Sequence, residues 1–334
     1  MSGTVVSAVG VAFLVTLALV PVLVRFAIGR DLLDVPNARS SHEVPTPRLG
    51  GLAVIAGVWA ATPFISDTFL FLAAATLAGL VGVLDDFVDL PFWTKAAGQA
   101  MVAFILLFLV PPPISLAAGP LWPVALLFGV VWVVALVNAY NFMDGIDGIA
   151  GGTAILNALF LATLVGTTGL GACLAVLAAA VAGFLVWNVS PARIFLGDSG
   201  SHFVGFFLGA VALYTEPVGG PGSPYGPYLA FLVAAAIFAP FLFDTAFTLI
   251  RRASVRKNIF AAHREHVYQK ITPDPASHRQ VSIVYFAFSA LAGIAAVLAS
   301  GGTLLRLLAG SVLIFGLCLF MAFLPRIAAG KGYV

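Results

Sequence analysis

Three carboxylate groupings carry the chemistry this chain could do: Asp85-Asp86, the run Asn141-Phe142-Met143-Asp144-Gly145-Ile146-Asp147-Gly148, and Phe195-Leu196-Gly197-Asp198-Ser199-Gly200. Adjacent carboxylates repel, so the pair Asp85-Asp86 calls for a cation, a proton or a hydrogen-bond network to offset it. Capping a helix end would need only one acid. Asn141, Asp144 and Asp147 are spaced by three and share a face if they continue a helix, while the glycines between them allow the backbone to open into a loop. An amide and two carboxylates aimed at one point suit a hard cation such as Mg²⁺, which takes oxygen ligands and keeps water and phosphate in its shell. Asp198 and Ser199 begin another helix, whose free amides suit an anion. A cation site beside an anion site suggests phosphate chemistry.

Other polar segments are less specific. Between Asp34 and Gly51, close prolines and Gly50-Gly51 fix an extended turn, to which His42 and Arg48 add donors. Lys95 opens the apolar stretch that follows Asp85-Asp86. The segment 251–279 holds seven basic residues and three of the five histidines. Arg251, Arg252, Arg256 and Lys257 read equally well as an orientation signal or an anionic-lipid contact. The compact run from Ala262 to Gln269, with Arg264 and His266, packs donors and acceptors as a substrate loop would. Asp244 lies inside an apolar stretch, where a pairing with Arg251 or Arg252, or hydrogen bonds to a neighbouring helix, explains it as well as a site does. Cys173 and Cys318 lack metal-ligand or redox spacing and read as packing residues. No Walker A loop, Rossmann glycine pattern, HExxH or calcium-loop order is present.

The elements that must position these residues are membrane helices. Hydrophobic residues make up 61% of the 334 and charged residues only 9%, with a mean hydropathy of +1.08, well beyond a soluble domain. Apolar stretches at 4–28, 49–66, 68–84, 96–112, 120–140, 150–168, 170–187, 202–215, 227–250, 280–299 and 303–324 predict an all-α polytopic membrane protein of about eleven transmembrane helices. The first stretch lacks the charged n-region and cleavage site of a signal peptide, so it reads as a retained helix with its amino terminus outside. Simple alternation then places fifteen of the sixteen Lys and Arg residues on the cytoplasmic side, leaving Arg306 outside. The same alternation brings 29–48, 85–95, 141–149, 188–201 and 251–279 to the cytoplasmic face, with every motif among them. Carboxylates gathered at one face of a membrane are costly and therefore point to function. One catalytic domain over 1–334 is expected, without a soluble appendage.

Taken in order, Pro45-Thr46-Pro47-Arg48-Leu49-Gly50-Gly51, Leu84-Asp85-Asp86 with Lys95, Asn138 through Gly148, Ile194 through Gly200 and the His266 loop resemble the polyprenyl-phosphate N-acetylhexosamine-1-phosphate transferase superfamily, across nearly the whole chain. The resemblance implies attack by a polyprenyl phosphate oxygen on the β-phosphorus of a UDP-sugar, giving a polyprenyl-diphosphate-sugar and UMP. It implies Asn141 and Asp198 at Mg²⁺, with Mn²⁺ as the substituting ion, and Asp85 and Asp86 handling the lipid phosphate. Lys95 would contact phosphate, Asp144 and Asp147 would hold or act on the nucleotide-sugar, and Phe195 would stack on uracil. Arg264 and His266 would reach the diphosphate or sugar, and Arg48 would join the substrate-binding set. Direct displacement and a covalent carboxylate intermediate both remain open.

Relatives that use N-acetylglucosamine usually show His-x-His-His in the last loop, whereas His266-Val267-Tyr268-Gln269 keeps only the first histidine. That version is similar to the branch that starts O-antigen or capsule repeats, often on 6-deoxy N-acetylhexosamines or N-acetylgalactosamine. The implied partners are undecaprenyl phosphate, a UDP-N-acetylhexosamine and membrane lipid, not a nucleic acid polymer, with a homodimer as one assembly open to it. A bacterial inner membrane is the expected location. The alternatives are a peptidoglycan-precursor transferase using UDP-muramoyl-pentapeptide, whose loop is richer in histidine, and a secondary transporter, whose acids belong near the bilayer midplane on interrupted helices. A scaffolding membrane protein would need none of the clustered acids.

Overall fold

The computed structural model describes residues 3–36, 44–88, 90–166, 169–220, 224–259, 261, 263–272, 274 and 277–330. Their regular structure is helical apart from a two-residue ribbon, in which β1 (Leu33–Asp34) pairs antiparallel with β2 (Thr46–Pro47). The α-helices are α1 (Gly3–Gly29), α2 (Gly50–Ala60), α3 (Phe69–Val88), α4 (Phe92–Leu109), α5 (Pro113–Ala117), α6 (Trp122–Met143) and α7 (Ile149–Val165). After them come α8 (Gly169–Asn188), α9 (Gly197–Val211), α10 (Pro227–Ala236), α11 (Ala239–Ser254), α12 (Val267–Lys270), α13 (His278–Ser300) and α14 (Leu304–Gly330).

Among the described residues, seven helices are long and apolar enough to cross a membrane: α1, α3, α4, α6, α8, α13 and α14. The pair α10 and α11 makes an eighth if taken as one span. The chain is thus an all-α, multi-pass membrane protein. Each of the eleven apolar stretches is helical, but α2, α7 and α9 have only 11, 17 and 15 residues, and 15 residues rise only about 22 Å against a hydrocarbon core of about 30 Å. The expected single helix over 227–250 is instead two, bent by 80° at Ile237-Phe238. Pro240, in the first turn of α11, is pre-set to begin a helix and cannot donate back to the one before it.

Helix α9 is wrapped by protein, with every residue from Ser199 to Val211 buried. Helices α2, α3, α6 and α7 pack against it. Close approach by small residues is how helices associate where lipid offers no hydrophobic drive, and Gly82 is one of the instances against α9. A Cβ there would lie 2.2 Å from the carbonyl oxygen of Asp198, so the end of α3 that carries Asp85 and Asp86 rests on the first turn of α9. Around this centre α1 packs on α2 and α8, α7 on α8 and α13, and α13 on α14.

Candidate active site

Two polar loops meet at the start of α9. The Phe195 N–H donates to the Pro47 carbonyl (2.8 Å), the Gly50 N–H to Phe195 (3.0 Å) and the Gly51 N–H to Leu196 (2.8 Å). Gly197 then turns the chain into α9 with φ +73°, and a Cβ on it would sit 2.3 Å from the Arg48 carbonyl oxygen. Only glycine meets both conditions. The Phe195 side chain is half-buried. Arg48 pairs with Asp34 of β1 at 2.7 Å and stays exposed, while His42 lies outside the described residues.

The amides of α9, expected to be open to an anion, are occupied from within. Asp86 accepts the N–H groups of Asp198 and Ser199, each at 3.3 Å, because the close α3–α9 packing brings its carboxylate over the helix end. Asp85, 8% exposed, accepts the Leu90 N–H at 2.7 Å and Lys95 Nζ at 2.6 Å. Lys95 Nζ is also 3.9 Å from Asp198 Oδ2. Asn141 Nδ2 donates to Asp198 Oδ1 at 2.8 Å and to Ser201 Oγ at 3.3 Å. Asp85, Asp86, Lys95, Asn141 and Asp198, separated by up to 113 positions, therefore form one site. Its carboxylates outnumber its lysine three to one, an arrangement suited to a cation and to phosphate.

Asp144 and Asp147 do not continue the face of α6. That helix ends at Met143, Asp144 is its C-cap (φ −87°, ψ 52°), and Gly148 at φ +78° completes the turn into α7. Asp147, 9% exposed, is tied inward: it accepts the Ala192 N–H at 3.1 Å and lies 3.4 Å from His278 Nδ1. Ser282 Oγ donates to its carbonyl at 2.7 Å, and the Gly148 N–H donates to Asn188 at 3.0 Å. Burial works to raise the Asp147 carboxyl, but hydrogen bonds with His278, Ala192 and Ser190 outweigh it and hold the group below the usual carboxylate range. Its observed part is to pin the loop to α13 and the 190–193 turn.

Asp144 stands differently. Burial, with the Asp86 and Asp147 carboxylates nearby, pushes it up to about 7. An acid raised above its unfolded value of 3.8 costs nothing while protonated below about pH 4, and its full cost is reached above about pH 7. At roughly 1.4 kcal/mol per unit, the cost at pH 8 is on the order of 2–4 kcal/mol. Asp144→Asn should therefore raise the melting temperature of EDTA-treated, substrate-free protein at pH 8 and raise it only about a third as much at pH 5, where the cost has just begun to develop. Equal shifts in melts at the two pH values would contradict this.

The last loop is built on Asp244, which is fully buried and accepts the N–H groups of Val267 (2.7 Å) and Tyr268 (3.0 Å) and the Tyr285 hydroxyl (2.5 Å). His266 Nδ1 lies 3.2 Å from it. The imidazole stacks against Phe142 and His263, at centroid distances of 5.8 and 4.9 Å. Glu265 gathers Arg251, Arg252 and Lys257 (3.0 Å to Lys257), and the Lys257 hydrogen bond in particular holds its carboxyl below the usual range. Arg264 is exposed. At the two positions where histidines were expected in some relatives, the Tyr268 hydroxyl donates to the Phe142 carbonyl at 3.0 Å, and Gln269 Oε1 accepts the His266 N–H at 3.2 Å.

A cavity of about 930 Å³ connects these two centres. Its walls are apolar, from Leu127, Val130, Val131 and Val134 of α6 and Leu242 and Leu249 of α11, and it is also lined by Lys95, Asn138, His263, His266 and Gln269. Lys95 thus belongs both to the acid cluster and to the apolar cavity.

Residue type and spacing leave Asp244 undecided and do not single out Glu265, Asn188 or the pairing of His278 with Asp147. An acid inside an apolar stretch was a visible signal for Asp244; the partners of the others lie across the fold. The model of Glycosyl transferase family 4 matches residues 68–216. The chain is 28% identical over 336 residues to a Bacillus subtilis protein named as a probable undecaprenyl-phosphate N-acetylglucosaminyl 1-phosphate transferase, covering 95% of this chain and 90% of that one. It is 31% identical to a Thermotoga maritima undecaprenyl-phosphate alpha-N-acetylglucosaminyl 1-phosphate transferase, covering 76% of this chain and 78% of the relative. A Mycobacteroides abscessus phospho-N-acetylmuramoyl-pentapeptide-transferase is 33% identical over 64% of this chain and 76% of its own length. With the motifs assembled at one site and relatives matched over most of their length, the chain belongs to glycosyl transferase family 4.

Proposed function

We propose that this protein transfers an N-acetylhexosamine 1-phosphate from a UDP-sugar to undecaprenyl phosphate, releasing UMP and starting a cell-surface polysaccharide at the cytoplasmic face of a bacterial inner membrane. The observation that carries the reading is the double position of Lys95. It lines an apolar cavity that suits a prenyl chain and contacts Asp85 and Asp198 in the acid cluster, so a lipid phosphate entering along the cavity would meet the acids at its polar end.

Among the described residues no three His, Cys, Asp or Glu side chains converge as a closed metal cage. A two-ligand set fits Mg²⁺, which is commonly held by one or two carboxylates with water and substrate phosphate completing its shell. Asp198 would hold it together with Asn141, once the amide that now donates from Nδ2 to Asp198 turns its oxygen to that side, with Mn²⁺ able to substitute. When bound, it would offset charge on the diphosphate and the departing UMP. Asp85 and Asp86 have both carboxylate oxygens engaged by protein donors, which supports direct displacement over a covalent carboxylate. The lipid phosphate already carries an ionised oxygen at neutral pH, so the acids and Lys95 need only orient it. Asp144 and Arg264 would face the nucleotide-sugar, with Phe195 beside uracil.

The names of the Bacillus subtilis and Thermotoga maritima relatives favour N-acetylglucosamine as the sugar, whereas the Tyr268-Gln269 pair supports a different N-acetylhexosamine, including the 6-deoxy donors of O-antigen pathways. The test is UMP release by purified protein given undecaprenyl phosphate, a panel of UDP-N-acetylhexosamines and UDP-muramoyl-pentapeptide, with Mg²⁺ or EDTA. Mg²⁺-dependent release with one UDP-N-acetylhexosamine is the expected result. Release only with the muramoyl donor would move the protein to peptidoglycan synthesis, and none from folded protein with any donor would overturn the reading.

A further inference from the structure

His266 is held from behind by a carboxylate that serves no substrate itself. Asp244 and His266 are 0% and 3% exposed, and Asp244 Oδ1 lies 3.2 Å from Nδ1. A carboxylate bonded to two backbone amides and the hydroxyls of Tyr285 and Thr248 acts as an acceptor only, which favours a proton on the approaching ring nitrogen over the competing approach of the Gln269 N–H to the same side chain at the start of α12. A bare Nδ1 would oppose two lone-pair atoms in a sealed site. The ring also lines the cavity, and its Nε2 makes no hydrogen bond among the described residues. Stacking on Phe142 and His263 fixes the ring plane.

We propose that Asp244 is a positioning residue that keeps the His266 proton on Nδ1, so that Nε2 faces the cavity and accepts a hydrogen bond from a hydroxyl or acetamido N–H of the donor sugar. This rests on the reading of the His266 loop as a donor-sugar contact. The hydrogen bond made by one ring nitrogen decides the state of the other, and at metal-bound histidines losing such a supporting partner costs about 10- to 100-fold, a scale taken here for the sugar contact. A purely structural Asp244, stapling the start of α12 to α11, would use the same two amide bonds but would not require one tautomer or favour one substrate.

The test uses the full chain in detergent, labelled with ring-¹⁵N histidine at pH 8, with the His266 signals identified by their loss in His266→Gln. The expected spectrum shows Nδ1 protonated and Nε2 bare. Asp244→Asn should mix the tautomers and raise KM for the UDP-sugar about 10-fold or more, with KM for lipid phosphate unchanged. A wild-type ring protonated at Nε2, or a folded Asp244→Asn protein with unaltered ring signals and KM, would overturn the proposal. If Asp244→Asn does not fold, the wild-type spectrum decides alone. If wild-type protein turns over no UDP-sugar, the functional reading falls while the tautomer is still settled by the spectrum.

Discussion

Asp198→Asn should lower UMP release by on the order of 10²- to 10³-fold, the scale seen when one preorganised charged or polar group is lost from a reaction centre. The side chain lies where three elements converge: Asn141 of α6 at 2.8 Å, Lys95 of α4 at 3.9 Å, and Asp86 of α3 capping the same turn. Asn is nearly isosteric and its amide oxygen can still accept from Asn141, so the packing of α9 has no reason to change. The substitution also removes one of the two carboxylates that share Lys95, beside a third at Asp86, which should leave thermal stability unchanged or raised. Turnover measured with Mg²⁺, beside a melt and a helical circular dichroism spectrum, checks both parts. Near-normal turnover would remove Asp198 from the proposed cation site.

A change of one methyl group should have a comparable effect at Gly82. In Gly82→Ala the new Cβ would meet the Asp198 carbonyl oxygen at 2.2 Å and its carbonyl carbon at 2.4 Å. Both are backbone atoms of a helix buried on all sides, so no side chain can swing aside; the helices must separate by about 1 Å, and overpacking of this kind typically costs 1–3 kcal/mol. The same movement carries Asp85 and Asp86 away from Asn141, Asp198 and Lys95, and a displacement of about 1 Å can cost about 10²-fold in rate. The expected outcome is a lowered melting temperature together with a loss of turnover of about that size. Full activity in Gly82→Ala would show that the spacing of α3 and α9 is not what sets the site.

What could be read from sequence and what could not divide along physical lines. Apolar stretches are local, and most appear as helix near their expected bounds, although α2 stops at Ala60, six residues short, and α14 runs six residues further, to Gly330. The bend at Ile237-Phe238 was hidden because residues on both sides of it are equally apolar, so hydropathy does not change where the chain turns. Asp144 and Asp147 have helical spacing, yet α6 ends at Met143, before either of them, and Gly148 turns the chain into α7. That Asp85, Asp86, Asn141 and Asp198 converge was legible as a set of motifs on one expected face. That Asp86 caps α9 was not, since the contact depends on how closely α3 packs there. Asp244 was visible as an anomaly, but its amide partners come from a loop more than twenty residues later.

The cap on α9 also bears on the order of encounters at this site. A helix start normally offers a fractional positive charge to whatever anion arrives; here Asp86 has neutralised it before any substrate comes. An incoming diphosphate therefore faces net negative charge that Lys95 only partly offsets, and repulsion at such range persists at moderate ionic strength. The free nucleotide should be turned away, and the species admitted should be the one that brings its own counterion. In rate terms, dependence on the divalent cation would fall on capture of the donor as well as on the step that follows.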